Sequence, residues 1–261
     1  MYKIKNEHKI VNVSVAPIYN KPNFSSELIT QALFWEKLSI LKTKDNWFKV
    51  RLKDKYCGWI HSFFISDSNL DKDNLKNWYF VKDKFCEVGL ADNIKYFLSF
   101  GTMLPCQEGK MFKLILPNGN KVDIDKRKLV LSTAAPSIDN ILKWSKKLLG
   151  SPYLWGGKSS FGYDCSGLIQ SLLLFKNINF PRDTKDQIGS DCLYSSKLDI
   201  SKRGDLIYFF ENNKPNHVGF FLTSEVFIHS SGFVKMSSIV KGNIFYDEGL
   251  SKMESKIYKF K

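Results

Sequence analysis

The chain lacks the features that would place it in a membrane or give it a secretory leader. None of its 261 residues belongs to an apolar run approaching the roughly 18 residues that span a bilayer as a helix. The first residues, MYKIKNEHKIVNVSV, carry charges but contain no apolar core of roughly 7–15 residues and no small-residue cleavage site. We therefore expect no membrane association and a cytoplasmic location.

Cysteine and histidine are both scarce. The five cysteines are irregularly spaced and odd in number, which argues against a disulfide framework and suits a reducing compartment. The four histidines are His8, His61, His217 and His229. A zinc site built from Cys165 and the last two histidines is a poor alternative, because it lacks the close-spaced ligand pairs of structural zinc sites. The sequence therefore predicts no metal and no other cofactor.

Long runs of one charge are also missing. Lysine and arginine number 39 against 26 acidic residues, a net charge of +13, but the basic residues are dispersed along the chain. The aromatic residues, 15% of the chain, stand at strand spacing among apolar residues and are better explained as core than as base-stacking platforms. We expect no nucleic-acid partner. A positive field still favours small anionic ligands such as carboxylate-rich peptides.

The most informative feature that is present is the stretch YLWGGKSSFGYDCSGLIQSLLLF, residues 153–175. Its Gly/Ser-rich loop runs into Cys165 at the predicted start of an apolar helix, where unpaired backbone N–H groups and the helix dipole favour a thiolate. His217 and His229 each lie beside a predicted strand. A single cysteine before an apolar run is more often a small core residue. A helix-start cysteine with later strand histidines is nevertheless typical of a papain-like nucleophile and base.

Ordered motifs between Gly150 and Gly232 resemble the NlpC-type family of bacterial cell-wall cysteine peptidases. The matching pieces are GSPYLWGG, DCSGL, GDLIYFF with NHVGFFL, and IHSSG. The resemblance implies a helix that carries the nucleophile and packs on an antiparallel sheet that carries the histidines. It implies Cys165 as nucleophile, His217 as general base and His229 as the polar group that orients the base.

The first 132 residues have the pattern of short strands and turns. Apolar or alternating runs at 12–18, 36–41, 47–52 and 57–60 are separated by polar breaks, which favours a small barrel. Their order resembles the bacterial SH3-like domain, with Trp47 and Trp59 at its usual aromatic positions. Residues 78–131 have the same texture and contain the hairpin KLILPNGNKVDI, in which Asn118-Gly119 is expected to supply the positive φ values of a tight turn. A polar linker, residues 67–77, separates the two runs.

A new domain begins near residue 133. Ser137 is a plausible N-cap, and the apolar stripe after it predicts a helix that ends at Gly150. A second helix is predicted at 165–175, and strands at 205–210, 217–222, 226–230 and 256–260. The predicted fold class is α+β, with a papain-like NlpC catalytic domain at 133–261 after two SH3-like β-barrels at 1–66 and 78–132.

SH3-like domains joined to an NlpC-type domain resemble the dipeptidyl-peptidase VI-like γ-D-glutamyl endopeptidases. The resemblance implies a murein peptide as substrate, cut after L-Ala-γ-D-Glu, with a free N-terminal L-Ala. In that group the first SH3-like domain closes one end of the groove, and acidic and tyrosyl groups hold the substrate ammonium. The residues that this resemblance assigns to substrate binding are Tyr56, Glu27 (with Glu36 as the alternative acid), Tyr153, Trp155, Asp164, Ser166, Asp183 and Thr184.

Three smaller features bear on the predicted groove, and the one at Thr184 comes from the resemblance. Gly156 and Gly157 would let the backbone pass close to a substrate where a side chain would collide. Thr184 stands where the family has serine, so the hydroxyl is kept with added bulk. Tyr153 and Trp155 are open to a core role as well as a groove role, because large aromatic residues commonly pack internally.

Three functions follow as hypotheses. The first is a cytoplasmic γ-D-glutamyl–diamino acid endopeptidase that recycles cell-wall peptides. The second is an exported cell-wall hydrolase or amidase anchored to peptidoglycan by its SH3-like domains. The third, a binding protein with a decayed site, is disfavoured because Cys165, His217 and His229 are all present. Diaminopimelate and lysine stay open as the residue after γ-D-Glu, and so does the oligomeric state.

Overall fold

The structure is a computed structural model that describes residues 8–67, 70, 75–90, 94–196 and 201–261. The chain divides into two compact units, Met1–Ala135 and Pro136–Lys261. Within the described residues no helix is long and apolar enough to cross a membrane. The part of the predicted linker at 68–69 and 71–74 lies outside the described residues.

The first sheet of the first unit is a seven-stranded antiparallel sheet in the order β3-β2-β6-β5-β4-β1-β7. Its strands are β1 (His8–Val11), β2 (Val15–Tyr19), β3 (Leu28–Leu33), β4 (Lys37–Lys44), β5 (Trp47–Arg51), β6 (Cys57–His61) and β7 (Ile65–Ser66). Strand β3 was not predicted, because its sequence LITQAL does not alternate. Thr30 and Gln31 are both buried in it.

The second sheet of this unit has the order β13-β12-β11-β8-β14, with β9 and β10 forming a separate hairpin. The strands are β8 (Trp78–Val81), β9 (Phe85–Gly89), β10 (Lys95–Ser99), β11 (Met103–Gln107), β12 (Lys113–Ile115), β13 (Lys121–Asp123) and β14 (Leu129–Leu131). In the turn between β12 and β13 Gly119 has φ +88°, whereas Asn118 stays in the ordinary region. The expected pair of positive φ values was wrong, because Pro117 fixes its own φ near −65° and favours a type I turn.

The two sheets of the first unit share a core. Ile10 of β1 and Phe34 and Trp35 between β3 and β4 belong to the same buried cluster as Val81 of β8 and Leu98 of β10. The indole N–H of Trp35 donates to the carbonyl of Ile115 at 2.7 Å. The barrel count and the limits 1–66 and 78–132 stay a prediction, but the two parts are joined by buried apolar contacts rather than by a linker alone.

The second unit combines helices with a six-stranded antiparallel sheet in the order β17-β22-β18-β19-β20-β21. Its elements are α1 (Ile138–Ser145), β15 (Lys158–Ser159), β16 (Gly162–Tyr163), α2 (Cys165–Leu173), α3 (Thr184–Ile188), β17 (Leu193–Ser196), β18 (Leu206–Glu211), β19 (Lys214–Phe221), β20 (Val226–Ser231), β21 (Phe233–Ser238), α4 (Glu248–Ser251) and β22 (Glu254–Phe260). Ser137 caps α1 through its side chain, as predicted. Strands β17 and β21 were not predicted, because lysine and serine interrupt their apolar pattern.

Helix α2 lies against β19 and β20. Each of its residues is buried, which explains why its sequence CSGLIQSLL carries no charge. A second apolar cluster is built from Ile207, Phe209, Phe221, Phe227 and Ile257 of the sheet. Phe209 and Phe227 of this cluster contact the rings of His217 and His229, and this packing helps to hold the half-buried and the buried ring in place.

Candidate active site

Cys165 is the first residue of α2. Asp164 is the N-cap, and its Oδ1 accepts a hydrogen bond from the backbone N–H of Gly167 at 2.6 Å. This cap ends the loop before the helix and sets the direction in which Cys165 points. The cysteine is 8% exposed, so most of its surface is covered by the protein.

The two histidines predicted from the sequence contact each other. Nε2 of His217 lies 2.7 Å from Nδ1 of His229, and the two rings are nearly perpendicular at a centroid distance of 4.9 Å. Nε2 of His229 lies 2.9 Å from the hydroxyl of Ser237. Because Nε2 of His217 is used in this way, Nδ1 is the nitrogen that remains for a reacting group.

The thiol of Cys165 lies against the strand that carries His217. Its sulfur is 4.0 Å from the carbonyl oxygen of Asn216, and it also receives a hydrogen bond from the backbone N–H of Val218. These residues flank His217 on both sides. The structure therefore brings together the predicted nucleophile, the predicted base and the residue predicted to orient it.

Burial, and to a smaller extent the carboxylate of Asp164, raises the pKa of the Cys165 thiol to about 12. The backbone N–H of Ser166 and the guanidinium of Arg182 act in the opposite direction. The donors at the helix start favour the thiolate, as the sequence predicted, but desolvation of the charge outweighs them here. The thiol holds its proton until a base removes it.

Both histidines are held neutral. Burial, with the charge of Lys235, lowers the pKa of His217 to about 4. Burial, His217 and Lys235 lower the pKa of His229 to about 2, and this ring is 0% exposed. A neutral imidazole has a free lone pair and can accept a proton. The site thus pairs a protonated thiol with a neutral ring that can deprotonate it.

A buried arginine that no sequence motif singled out stands behind the nucleophile. Arg182 is joined to Asp164 at 2.5 Å and also donates to the hydroxyl of Ser166 at 2.9 Å. Asp164 and Ser166, predicted to bind substrate, therefore have their polar side-chain atoms engaged inside the protein. No local pattern could have indicated this pair, because Asp164 and Arg182 are 18 positions apart in the chain.

Asp183 and Thr184 begin α3 beside the site. The hydroxyl of Thr184 donates to the carbonyl of Pro215 at 3.0 Å, two residues before His217. Asp183 occupies the N-cap position without capping the helix through its side chain. The threonine hydroxyl thus ties α3 to the strand that carries His217, while the substrate roles of both residues stay predictions.

Tyr153 and Trp155 differ in their surroundings. Burial raises the pKa of the Tyr153 phenol to about 12, with smaller contributions from Cys165 and Asp164, so the phenol lies near the nucleophile. Its backbone N–H donates to the carbonyl of Gly232 at 2.9 Å. Trp155 is 63% exposed. Tyr153 is therefore placed to line the site, and Trp155 to present its ring to solvent.

The paired glycines after Trp155 are required by the protein itself. Gly156 has φ +73°, a conformation that favours glycine. A Cβ at Gly157 would lie 2.3 Å from the carbonyl oxygen of Gly162, and one at Gly167 would lie 2.1 Å from that of Gly157. Close packing of the protein backbone, rather than the approach of a substrate, accounts for Gly157.

The remaining predicted residues belong to the first unit. Tyr56 is half-buried next to the turn before β6, and its N–H donates to the carboxylate of Asp54 at 3.0 Å. Glu27 is exposed just before β3. The carboxylate of Glu36 accepts from the N–H of Leu33 at 3.1 Å, which gives this alternative acid a local role in a turn.

In the part of the chain that the structure describes, no group of three or more His, Cys, Asp or Glu side chains is arranged to hold a metal ion. The observed contacts are instead those between His217 and His229 and between Cys165 and the strand that carries His217.

A helix-start thiol that lies against a strand carrying a histidine is an arrangement typical of cysteine hydrolases. Residues 150–251 match the model of the NlpC/P60 family, and residues 18–62 match that of the bacterial dipeptidyl-peptidase SH3 domain. The second unit thus carries a match to the NlpC/P60 family of cysteine peptidases, and the first unit carries a match to the bacterial dipeptidyl-peptidase SH3 domain, as the sequence motifs predicted.

Curated relatives match the chain across both domains. The chain is 25% identical over 228 residues to the γ-D-glutamyl-L-lysine dipeptidyl-peptidase of Bacillus cereus, a match that covers 79% of this chain and 68% of the relative. It is 27% identical over 215 residues to the protein of the same name from Bacillus subtilis, covering 77% of this chain and 71% of that relative.

A solved structure shares the whole fold. The NlpC/P60 family protein from Bacillus cereus superimposes with a TM-score of 0.84 over 96% of this chain and 98% of that one, at 20% identity. The likeness extends over both units, so the arrangement of strands and helices in each belongs to a known architecture.

Proposed function

We propose that this protein hydrolyses the bond between γ-D-glutamate and a diamino acid in murein peptides that carry a free N-terminal L-Ala. The observation that carries the proposal is the contact of His217 with His229 beside the thiol of Cys165. The names of the two Bacillus relatives, both γ-D-glutamyl-L-lysine dipeptidyl-peptidases, supply the substrate class. We further propose a role in recycling cell-wall peptides in the cytoplasm.

The first half of the reaction forms an acyl-enzyme. Nδ1 of His217 takes the proton of Cys165, and the sulfur attacks the side-chain carbonyl of the γ-linked glutamate. The backbone N–H of Cys165, at the start of α2, is the proposed donor to the resulting oxyanion. The imidazolium of His217 then gives its proton to the departing amine of the diamino acid, and the C–N bond breaks.

The second half releases the dipeptide. His217, neutral again, takes a proton from a water molecule as the water attacks the thioester. The carbon–sulfur bond breaks, the proton returns to the sulfur, and L-Ala-γ-D-Glu leaves. His229 holds the ring of His217 in position throughout, because its Nδ1 is bonded to the nitrogen that does not react.

Recognition of the substrate ammonium rests on the family resemblance of the sequence. Tyr56, Glu27 and Asp183 are the proposed partners of the free amine of L-Ala. An ammonium removed from water needs a carboxylate and hydrogen bonds, because an unpaired charge away from water is costly. Peptides whose amine is blocked or joined to glycan would lack this pairing.

The test is product analysis by mass spectrometry. L-Ala-γ-D-Glu-L-Lys and its diaminopimelate counterpart are each incubated with the wild-type protein and with Cys165→Ala. Release of L-Ala-γ-D-Glu by the wild type alone supports the proposal, and the relative rates give the preferred diamino acid. Cleavage of polymeric peptidoglycan without cleavage of either tripeptide would contradict it and favour a cell-wall hydrolase.

A further inference from the structure

Ser237 extends the line of side chains that begins at the nucleophile. It lies on β21, opposite Phe227 of β20, and is 3% exposed. Its hydroxyl is 2.9 Å from Nε2 of His229, whose Nδ1 in turn contacts His217. No motif in the sequence singled out this serine, and none of the proposed reaction steps uses it.

A short contact between two imidazole nitrogens accommodates one hydrogen. In the first arrangement, Nδ1 of His229 accepts the hydrogen bond from His217. Nε2 of His229 then carries the other hydrogen and donates to Ser237, while His217 donates through Nε2 and keeps Nδ1 bare. In the opposite arrangement His217 carries its hydrogen on Nδ1, and that nitrogen can no longer accept the thiol proton.

We infer that Ser237 is a positioning residue that accepts the Nε2–H of His229 and thereby keeps Nδ1 of His217 free for the proton of Cys165. The inference rests on the proposed function, because it takes Cys165 and His217 as nucleophile and base. The same orientation serves the charged state. When His217 holds both hydrogens it still donates through Nε2 to His229, so neither His229 nor Ser237 has to change partner during the reaction.

Without the hydroxyl of Ser237, the opposite tautomer arrangement of the two histidines would be favoured. A buried Nε2–H without an acceptor is unfavourable, whereas a bare Nε2 in an apolar pocket is less so. His229 would therefore move its hydrogen to Nδ1, and His217 would be left with the hydrogen on the reacting nitrogen. This effect differs from a packing defect because it changes the tautomer of a ring that Ser237 does not contact.

The experiment compares Ser237→Ala, Ser237→Thr and Ser237→Cys with the wild type. The matched control is Ser238→Ala, which removes a buried hydroxyl from the next position of the same strand, where it accepts from the N–H of Val240. Two readouts are taken: kcat and KM on the tripeptide, and the 15N shifts of both histidine rings in the free protein, which report the tautomer directly.

We expect kcat of Ser237→Ala to fall roughly 10- to 100-fold, with KM little changed. This loss is smaller than the roughly 10⁴-fold loss known for a catalytic base held in the wrong tautomer. Threonine should restore most of the activity, and cysteine, a weaker acceptor of similar size, should be intermediate. The 15N spectrum of Ser237→Ala should show hydrogen moved to Nδ1 of His217, and Ser238→Ala should show neither change.

An unchanged tautomer in Ser237→Ala would overturn the inference, whether or not activity falls. An equal loss of kcat in the Ser238→Ala control would overturn it as well, because strand damage would then explain the effect. If the wild type fails to cleave the tripeptides, the proposed substrate is wrong, but the 15N measurement needs no substrate and still decides the role of Ser237.

Discussion

Arg182 and Asp164 form a buried ion pair directly behind the candidate nucleophile. The guanidinium is joined to the carboxylate at 2.5 Å, and the arginine side chain is 1% exposed. The same carboxylate caps α2 through Gly167. Asp164 thus sets the start of the helix. Arg182 neutralises the negative charge of Asp164, which would otherwise oppose ionisation of Cys165.

Replacing Arg182 by Met should destabilise the catalytic unit strongly. The carboxylate of Asp164 would be left buried without its counter-charge, a loss that costs about 3–5 kcal/mol in comparable cases. Urea unfolding provides the measurement. Asp164→Asn combined with Arg182→Met should recover part of the loss. The exposed pair Lys252–Glu248 provides the control, because Lys252→Met should not measurably change the free energy of unfolding. Equal destabilisation by Lys252→Met and Arg182→Met would refute the expectation.

Gly167→Ala tests the close approach of α2 to the preceding loop. Its Cβ would stand 2.1 Å from the carbonyl oxygen of Gly157, so the helix and the loop must separate, at a cost of about 1–3 kcal/mol. We expect a lower unfolding midpoint and a lower kcat, because Cys165 moves with the helix. At Gly189 the nearest atoms would lie 3.7 Å from an added Cβ, and Gly189→Ala should be tolerated. Equal stability of the two variants would exclude the steric argument.

His217→Ala should lower kcat more than His229→Gln does. Nothing replaces the proton acceptor in the first variant, whereas an amide can still bond to the ring of His217 in the second. The loss in His217→Ala should be about 10²- to 10⁴-fold, which is the usual contribution of a general base. Steady-state kinetics on the tripeptide make the comparison, and a larger loss in His229→Gln would require the two roles to be exchanged.

Stability should fall on mild acidification because His229 is buried in its neutral form. Burial lowers the pKa of His229 from 6.5 to about 2, so below pH 6.5 the unfolded chain binds a proton that the folded chain does not. The free energy of unfolding should be constant above about pH 7.5 and decline below 6.5 by about 1.4 kcal/mol per pH unit for this proton. Hydrogen exchange of α2 amides between pH 5 and 8 measures it. A His229→Gln variant with the same pH slope as the wild type would argue against this origin.

Blocking the substrate amine should abolish efficient hydrolysis. N-acetylation of the L-Ala removes the ammonium and leaves the proposed carboxylates without a partner, so kcat/KM should drop at least 100-fold, about 3 kcal/mol. Competition between free and acetylated tripeptides in one reaction gives the ratio directly. Tyr56→Phe should reduce the ratio of kcat/KM between the free and the acetylated tripeptide. Comparable cleavage of both peptides by the wild type would contradict the proposed recycling role.

Much of the catalytic unit could be predicted from local pattern. The Asp-Cys-Ser-Gly turn before an apolar run placed Cys165 at a helix start, where the structure has it. The strands that carry His217 and His229 were predicted within a few residues of their observed bounds. Such predictions are reliable because helix caps and strand alternation depend on residues that are close together in the sequence.

The ionisation of the thiol and the partners of its neighbours were settled by tertiary structure. Arg182 reaches Asp164 from 18 positions along the chain, and Ser237 reaches His229 across a strand pair, so no local spacing indicates either contact. The same holds for the charge state of Cys165, because the helix start is a local feature whereas burial depends on what packs over it. The sequence by itself predicted which residues would carry the chemistry. Only the packing of α2 on the sheet decided which of them are paired, neutral and desolvated, because those properties depend on distances between residues remote in the chain.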